Sequence, residues 1–238
     1  MESRSQNESA RESILQSIRQ HLEASRSFDQ RESELAHVQS SPPLAPVEPI
    51  DVERVSLVDV FKNSLEAVDG HCILVQSEQE VVQALTETIR RLQQTKLLAR
   101  RIAISDAPDV ERLIRVTDLE VDELEIAPSA SEVFRFDVGI SQAQAGIAET
   151  GTLLLDSSRE RHRLVSLVPP VHIAIINASQ IVETLGEALA MLRREHKVSP
   201  IVTLVTGPSR TADIELTLAI GVHGPQELFV IVNQDLRP

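Results

Sequence analysis

The chain has no Trp and no Tyr, and aromatic residues make up only 2% of its 238 positions. That scarcity removes the stacking platforms on which single-stranded nucleic acids rest. It also leaves little for an aromatic sandwich around a flavin or nucleobase. Cysteine is reduced to Cys72. One thiol forms no intrachain disulfide and builds no four-Cys zinc or iron–sulfur site alone. Its setting, His71-Cys72-Ile73-Leu74-Val75, is an apolar run that marks a core thiol rather than a nucleophile. Positive charge is short too: 23 Lys and Arg face 36 Asp and Glu, a formal net charge of -13. Nucleic acid and anionic membrane surfaces would be repelled. No apolar run approaches the ~18–20 residues that cross a bilayer, and the polar N-terminus is unlike a secretory signal. The expectation is a cytoplasmic protein with no membrane span and no nucleic-acid partner.

Motifs are missing as well. No G-x-G-x-x-G opens a helix after a strand, and no Walker loop is present. The nucleophile elbow G-x-S-x-G is absent. Dinucleotide, ATPase and serine-hydrolase readings therefore lack support.

What is present is a hydrophobic share of 42% on a length that suits one large α/β domain, or a domain with a helical appendage. Residues 1–40 are rich in Ser, Gln, Glu and Arg, and Ile14, Leu15, Ile18 and Leu22 form a narrow stripe on a charged helix. Such an arm buries little by itself and should dock on its own domain, another subunit or a partner. The prolines of Ser41–Pro49 break any helix and stiffen the chain, which makes 41–50 the linker and 51–238 the α/β domain.

Within that domain, Leu57, Phe61, Leu65 and Val68 mark a helix ending at Gly70. His71–Val75 reads as a strand. Ser77 and Glu80 form a capping box for a helix carrying Val81, Leu85, Ile89 and Leu92. Arg101–Ser105 and Glu123–Ala127 read as strands around a helix at Pro108–Arg115, whose proline sits in the first turn. Strands alternating with helices imply a mostly parallel sheet flanked by helices. From Asp137 to Asn177 the pattern changes: Asp137–Ile140, Leu164–Val168 and His172–Ile176 read as strands, and Ile147–Leu155 places a carboxylate and two hydroxyls around Gly151. Strands without intervening helices imply a small antiparallel extension. Asn177 or Ser179 caps a helix with stripe Ile181, Leu185, Leu189 and Leu192, and strands Ile201–Val205 and Leu228–Val232 close the domain.

Polar groups gather where Ile201–Val205, read as a buried strand, stops at Thr206-Gly207-Pro208-Ser209-Arg210-Thr211-Ala212-Asp213-Ile214-Glu215. Ser209 or Thr211 can cap a short helix whose free N–H groups face an anion. Arg210 adds a planar fork for a carboxylate or phosphate. A loop of this kind at the carboxyl end of a parallel strand is where open α/β sheets bind ligands. The competing reading is a structural turn in which Arg and Asp pair with each other. Gly221-Val222-His223-Gly224-Pro225 echoes it, with His223 between two glycines.

Glu149, in Glu149-Thr150-Gly151-Thr152, is the sharpest single candidate. Beside a glycine a carboxylate approaches a ligand closely and acts as base or nucleophile, or it is a turn carboxylate bonded to backbone N–H groups. His172, after Pro169-Pro170, reads first as a core or edge histidine. Two histidines with Asp213, Glu215 or Glu149 are metal-ligand types, but no HExxH-type spacing unites them, so no metal and no cofactor is expected.

The ordered blocks Asp137-Val-Gly-Ile, Ile147-Ala-Glu-Thr-Gly-Thr-Leu, Leu167-Val-Pro-Pro-Val-His-Ile, Thr206–Glu215 and Gly221–Pro225 resemble the LUD-domain family, in its lactate utilization protein C branch. The resemblance implies a fold like the NagB/RpiA/CoA-transferase group. It also implies a part in oxidising L-lactate to pyruvate, alongside iron–sulfur partner proteins. Three functions stand on these residues. One is a non-redox subunit binding a small anionic metabolite. The second is an enzyme of CoA-transferase or sugar-phosphate isomerase type using Glu149, and the third is an assembly protein for the iron–sulfur partners. Homo-oligomeric assembly stays open.

Overall fold

A computed structural model describes residue 16 and residues 56–97, 99–157, 164–195, 201–212, 218–220 and 224–235. The helical arm expected at 1–40 and the linker expected at 41–50 lie outside the described residues, apart from Gln16. The remainder belongs to one compact unit, Glu53–Pro238. In chain order its helices are α1 (Leu57–Ala67), α2 (Glu78–Gln93), α3 (Pro108–Arg115), α4 (Leu164–Leu167) and α5 (Leu185–Glu195). Its strands are β1 (His71–Val75), β2 (Arg101–Ile104), β3 (Glu123–Ile126), β4 (Val138–Gln142), β5 (Ala145–Ile147), β6 (Thr152–Asp156), β7 (Val171–Asn177), β8 (Ile181–Val182), β9 (Val202–Val205), β10 (Arg210–Ala212), β11 (Leu218–Ile220) and β12 (Glu227–Asn233).

Six strands form a parallel sheet in the order β1-β12-β7-β4-β2-β3. Its central strands are buried on both faces, which is why Val171–Ile176 and Leu228–Val232 are unbroken apolar runs except for His172. On one face α2 and α3 place Val81, Leu85, Ile89, Val110 and Leu113 against Ile102, Ile104, Ile140, Ile173 and Ile231. The other face takes Phe61 and Leu65 of α1, together with Leu153 and Leu155 from a second sheet. Phe61 and Leu65 are fully buried, and each contributes roughly 1.5–3 kcal/mol by leaving water.

The second sheet runs β8-β5-β6-β9 and is mixed: β5–β6 and β6–β9 are antiparallel, β5–β8 parallel. Leu154 points away from the first sheet, joining Ala145, Ile147 and Ala188 of α5 in a satellite cluster. The α/β class with a parallel sheet and a small extension is therefore as expected from the sequence.

Local signals were largely legible. Ser77 Oγ accepts the Glu80 N–H, although the Glu80 carboxylate reaches back to Gln76 N–H rather than to Ser77. Pro108 opens α3. Asp137, before β4, accepts the backbone N–H groups of Arg100 and Arg101 at 3.1 and 2.9 Å and the Arg101 guanidinium at 2.7 Å. Burial pushes this carboxyl upward, but those donors outweigh it and hold its pKa below the ordinary value. The pair clasps the amino ends of β2 and β4.

Five expectations are corrected. Leu164–Leu167 is a helical turn, not a strand, and it presses on Gly139 so closely that a Cβ there would lie 1.8 Å from Val165 O. Ile181 precedes the last helix and pairs in β8. Asn177 instead opens a 3-10 turn, while Thr184 Oγ caps α5 by accepting the Glu187 N–H. Val202–Val205 is not a buried parallel strand but the edge of the mixed sheet, with Val202 and Leu204 exposed. Arg210–Ala212 forms a hairpin with Leu218–Ile220 where a short helix was expected.

Candidate functional site

β9 delivers the Thr206–Arg210 segment, and Gly207 turns it with φ 76° against Val68 at the end of α1. Ser209 N–H donates to Pro225 O at 2.7 Å, which ties this turn to the second Gly-Pro pair, Gly224-Pro225. Between them lies an open cavity of about 490 Å³. Its walls are Val68, the Ser166-Leu167 turn of α4, Leu204–Arg210 and Gly224-Pro225. The two glycine-proline segments that stood out in the sequence therefore face one space.

Its position differs from expectation. Val68 leads into β1, Leu167 into β7 and Pro225 into β12, so the cavity stands at the amino ends of the parallel strands. The crevice at the carboxyl ends, where α/β sheets commonly bind, is at the opposite edge. The reason is β9: pairing with β6 rather than entering the parallel sheet, it sends its outgoing loop to the other end.

Arg210 lies at this cavity, with its guanidinium paired to the carboxylate of Asp69. The competing sequence reading placed such a pair within the loop, whose acids Asp213 and Glu215 lie outside the described residues; Asp69 comes from the end of α1. That end is a Schellman motif. Asp69 N–H donates to Glu66 O and Gly70 N–H to Leu65 O, with Asp69 at φ 63°. The left-handed residue is thus Asp69, not the glycine after it.

A chain of hydroxyls leads from the cavity. Thr206 Oγ1 bonds Thr152 Oγ1 at 2.7 Å, and Thr152 bonds Thr150 Oγ1 at 2.7 Å. Thr152 is buried, and neither it nor Thr150 lines the cavity. Next to them, Glu149 occupies the exposed β5–β6 turn. Its Oε1 accepts the Leu185 N–H of α5 at 3.4 Å, and its own N–H donates to Glu183 O. The carboxylate therefore sits at the positive end of a helix. Gly151, at φ 62°, lets this turn approach α1: a Cβ would lie 2.2 Å from Leu65 N. The close approach that this glycine permits is to a helix.

His172 is fully buried in β7, on the face shared with Ala174 and Ile176 by strand alternation. Nε2 lies 2.7 Å from Ser141 Oγ. Nδ1 has no partner among the described residues. Burial pushes its pKa down to about 4, so the ring is neutral. Cys72 packs beside the second core, and its thiol is pushed up to about 12 by burial and then by Glu66.

Of the sequence candidates, the structure brings Gly207, Ser209, Arg210 and Gly224 to one cavity. Glu149, Thr150, Gly151 and Thr152 lie at the far end of the hydroxyl chain, and His172 lies in the core. Thr211 belongs to β10. Asp213, Glu215 and His223 lie outside the described residues. Sequence reasoning missed Asp69, Ser166 and Leu167. An acid at the end of a helix stripe was the only available signal for Asp69. Among the described residues no cluster of His, Cys, Asp or Glu has the makings of a metal site. No helix among them is long and apolar enough to cross a membrane.

The LUD domain model matches residues 58–232, which include the parallel sheet, the mixed sheet and the cavity. The chain belongs to the LUD domain family. An uncharacterized protein of Neisseria meningitidis serogroup B is 45% identical over 111 residues, 46% of this LUD chain and 48% of that one. A lactate utilization protein C of Bacillus licheniformis is 38% identical over 103 residues, 42% and 43% of the two chains. The match therefore spans about half the length of these two relatives or less. A longer match, to lactate utilization protein C of Oceanobacillus iheyensis, is 30% identical over 185 residues, 74% of this chain and 79% of that one. The fold is shared with a DUF162 family protein of Deinococcus radiodurans, with TM-score 0.53, 22% identity, and coverage of 76% of this chain and 98% of that one.

Proposed function

We propose that this LUD domain serves lactate utilization as a non-redox component that binds a small anionic metabolite at Arg210. The single observation that carries the reading is the guanidinium at a cavity of about 490 Å³ walled by two Gly-Pro turns. A guanidinium fork matches a carboxylate in two parallel hydrogen bonds, and lactate and pyruvate each offer one. The names of the relatives support the metabolic assignment. In this reading the redox steps belong to iron–sulfur partner proteins, and the α/β unit is preceded by an arm at 1–40 and a linker at 41–50.

Calorimetric titration of the full chain with L-lactate and with pyruvate tests it. One-site binding is expected, weakened about tenfold or more by Arg210→Ala, the worth of a hydrogen bond to a charged group. Affinity that ignores Arg210→Ala would falsify the assignment of the site.

A further inference from the structure

Asp69 occupies a place that chemistry disfavours twice. In a Schellman motif the left-handed position after the helix is usually glycine, sometimes asparagine, because a Cβ there is strained. Asp69 holds it at φ 63° while the glycine stands one residue later. A carboxylate beyond the last turn of α1 also meets the negative end of the helix dipole. From that position its carboxylate makes a contact with Arg210. The two side chains are 74% and 37% exposed. A pair this open to water is weakly held and readily exchanged.

We propose that Asp69 is a built-in counter-anion of the Arg210 site. Its carboxylate occupies the fork that a small monocarboxylate ligand must take over, so binding is an exchange of one carboxylate for another. The inference rests on the reading in which Arg210 grips the ligand, and it adds both the ligand class and a restraint on occupancy. The tether is short: Asp69 follows Val68, itself part of the cavity wall. A released Asp69 carboxylate turns into solvent, and the incoming carboxylate leaves the charge at the guanidinium unchanged. The exchange raises the ligand concentration needed for half-occupancy by a constant factor, set by the fraction of sites in which Asp69 has released Arg210.

The test uses the full chain with pyruvate as probe and compares wild type, Asp69→Asn, Asp69→Gly and Arg210→Ala. Both Asp69 variants suit the left-handed backbone, so their unfolding midpoints should equal or exceed that of wild type. Each should bind pyruvate about two- to fivefold more tightly, the weight of an exposed ion pair, and the gain should vanish when Arg210→Ala is added. If Arg210→Ala weakens binding while both Asp69 variants match or fall below wild type, the counter-anion role is wrong and the Arg210 site survives. Pyruvate binding that is absent, or indifferent to Arg210 in every background, overturns both.

Discussion

His172 is the clearest case of a side chain whose surroundings decide its chemistry. Its ring is wholly out of water in β7, and burial pushes its pKa down to about 4 from 6.5. As pH falls, the unfolded chain therefore takes up the proton first. The stability tied to neutral His172 is complete above about pH 6.5 and is lost as pH drops toward 4. The folded chain should be about 2 kcal/mol less stable at pH 5 than at pH 7 from this group alone. Urea unfolding at the two pH values should show that difference reduced by the same amount in His172→Gln. An identical pH dependence in both proteins would mean that the ring is not held neutral. The ring is fully buried, and the sequence reading ranked a core or edge histidine first, because the residue begins an apolar run. It had no means of seeing Ser141, which β4 brings alongside from 31 positions away.

At the scale of elements, α4 shows how one small residue determines what lines the cavity. Ser166 and Leu167 form part of the wall only because α4 lies directly on β4, where Val165 O meets the bare Cα of Gly139. A methyl at Gly139 has nowhere to go, since the obstacle is backbone rather than a flexible side chain. Gly139→Ala should cost about 2–4 kcal/mol in urea unfolding, the scale of overpacking and backbone displacement. Faster hydrogen exchange at 164–167 should accompany it. A variant with native stability and unchanged exchange would show that α4 adapts without strain. The Leu164–Val168 run held no hint of this, because four apolar residues before Pro169-Pro170 fit a strand as well as a helical turn.

For the whole molecule, the compact unit Glu53–Pro238 holds both sheets and the cavity. A chain starting at Glu53 is expected to unfold in one cooperative step, with a midpoint within about 4 °C of the full chain, equivalent to no more than about 1 kcal/mol. A larger fall would place structural work in the arm. The family membership was readable from five ordered sequence blocks, all within the residues matched by the LUD domain model, and the α/β class from strands alternating with helices.

What the sequence determined by itself was local. Apolar period, Ser77 and Pro108 at helix starts, and the Gly-Pro turns depend on residues a few positions apart, so β1, α2, α3, β7 and β12 can be placed from the residue pattern alone. Only the tertiary structure decided which strands pair. By joining β6 instead of the parallel sheet, β9 moved the Arg210 loop to the amino ends of β1, β7 and β12. There it met the end of α1, and the acid that Arg210 pairs with became Asp69. Strand pairing is settled by burial and backbone hydrogen bonds between segments far apart in the chain, and no pattern within Ile201–Val205 specifies its neighbour.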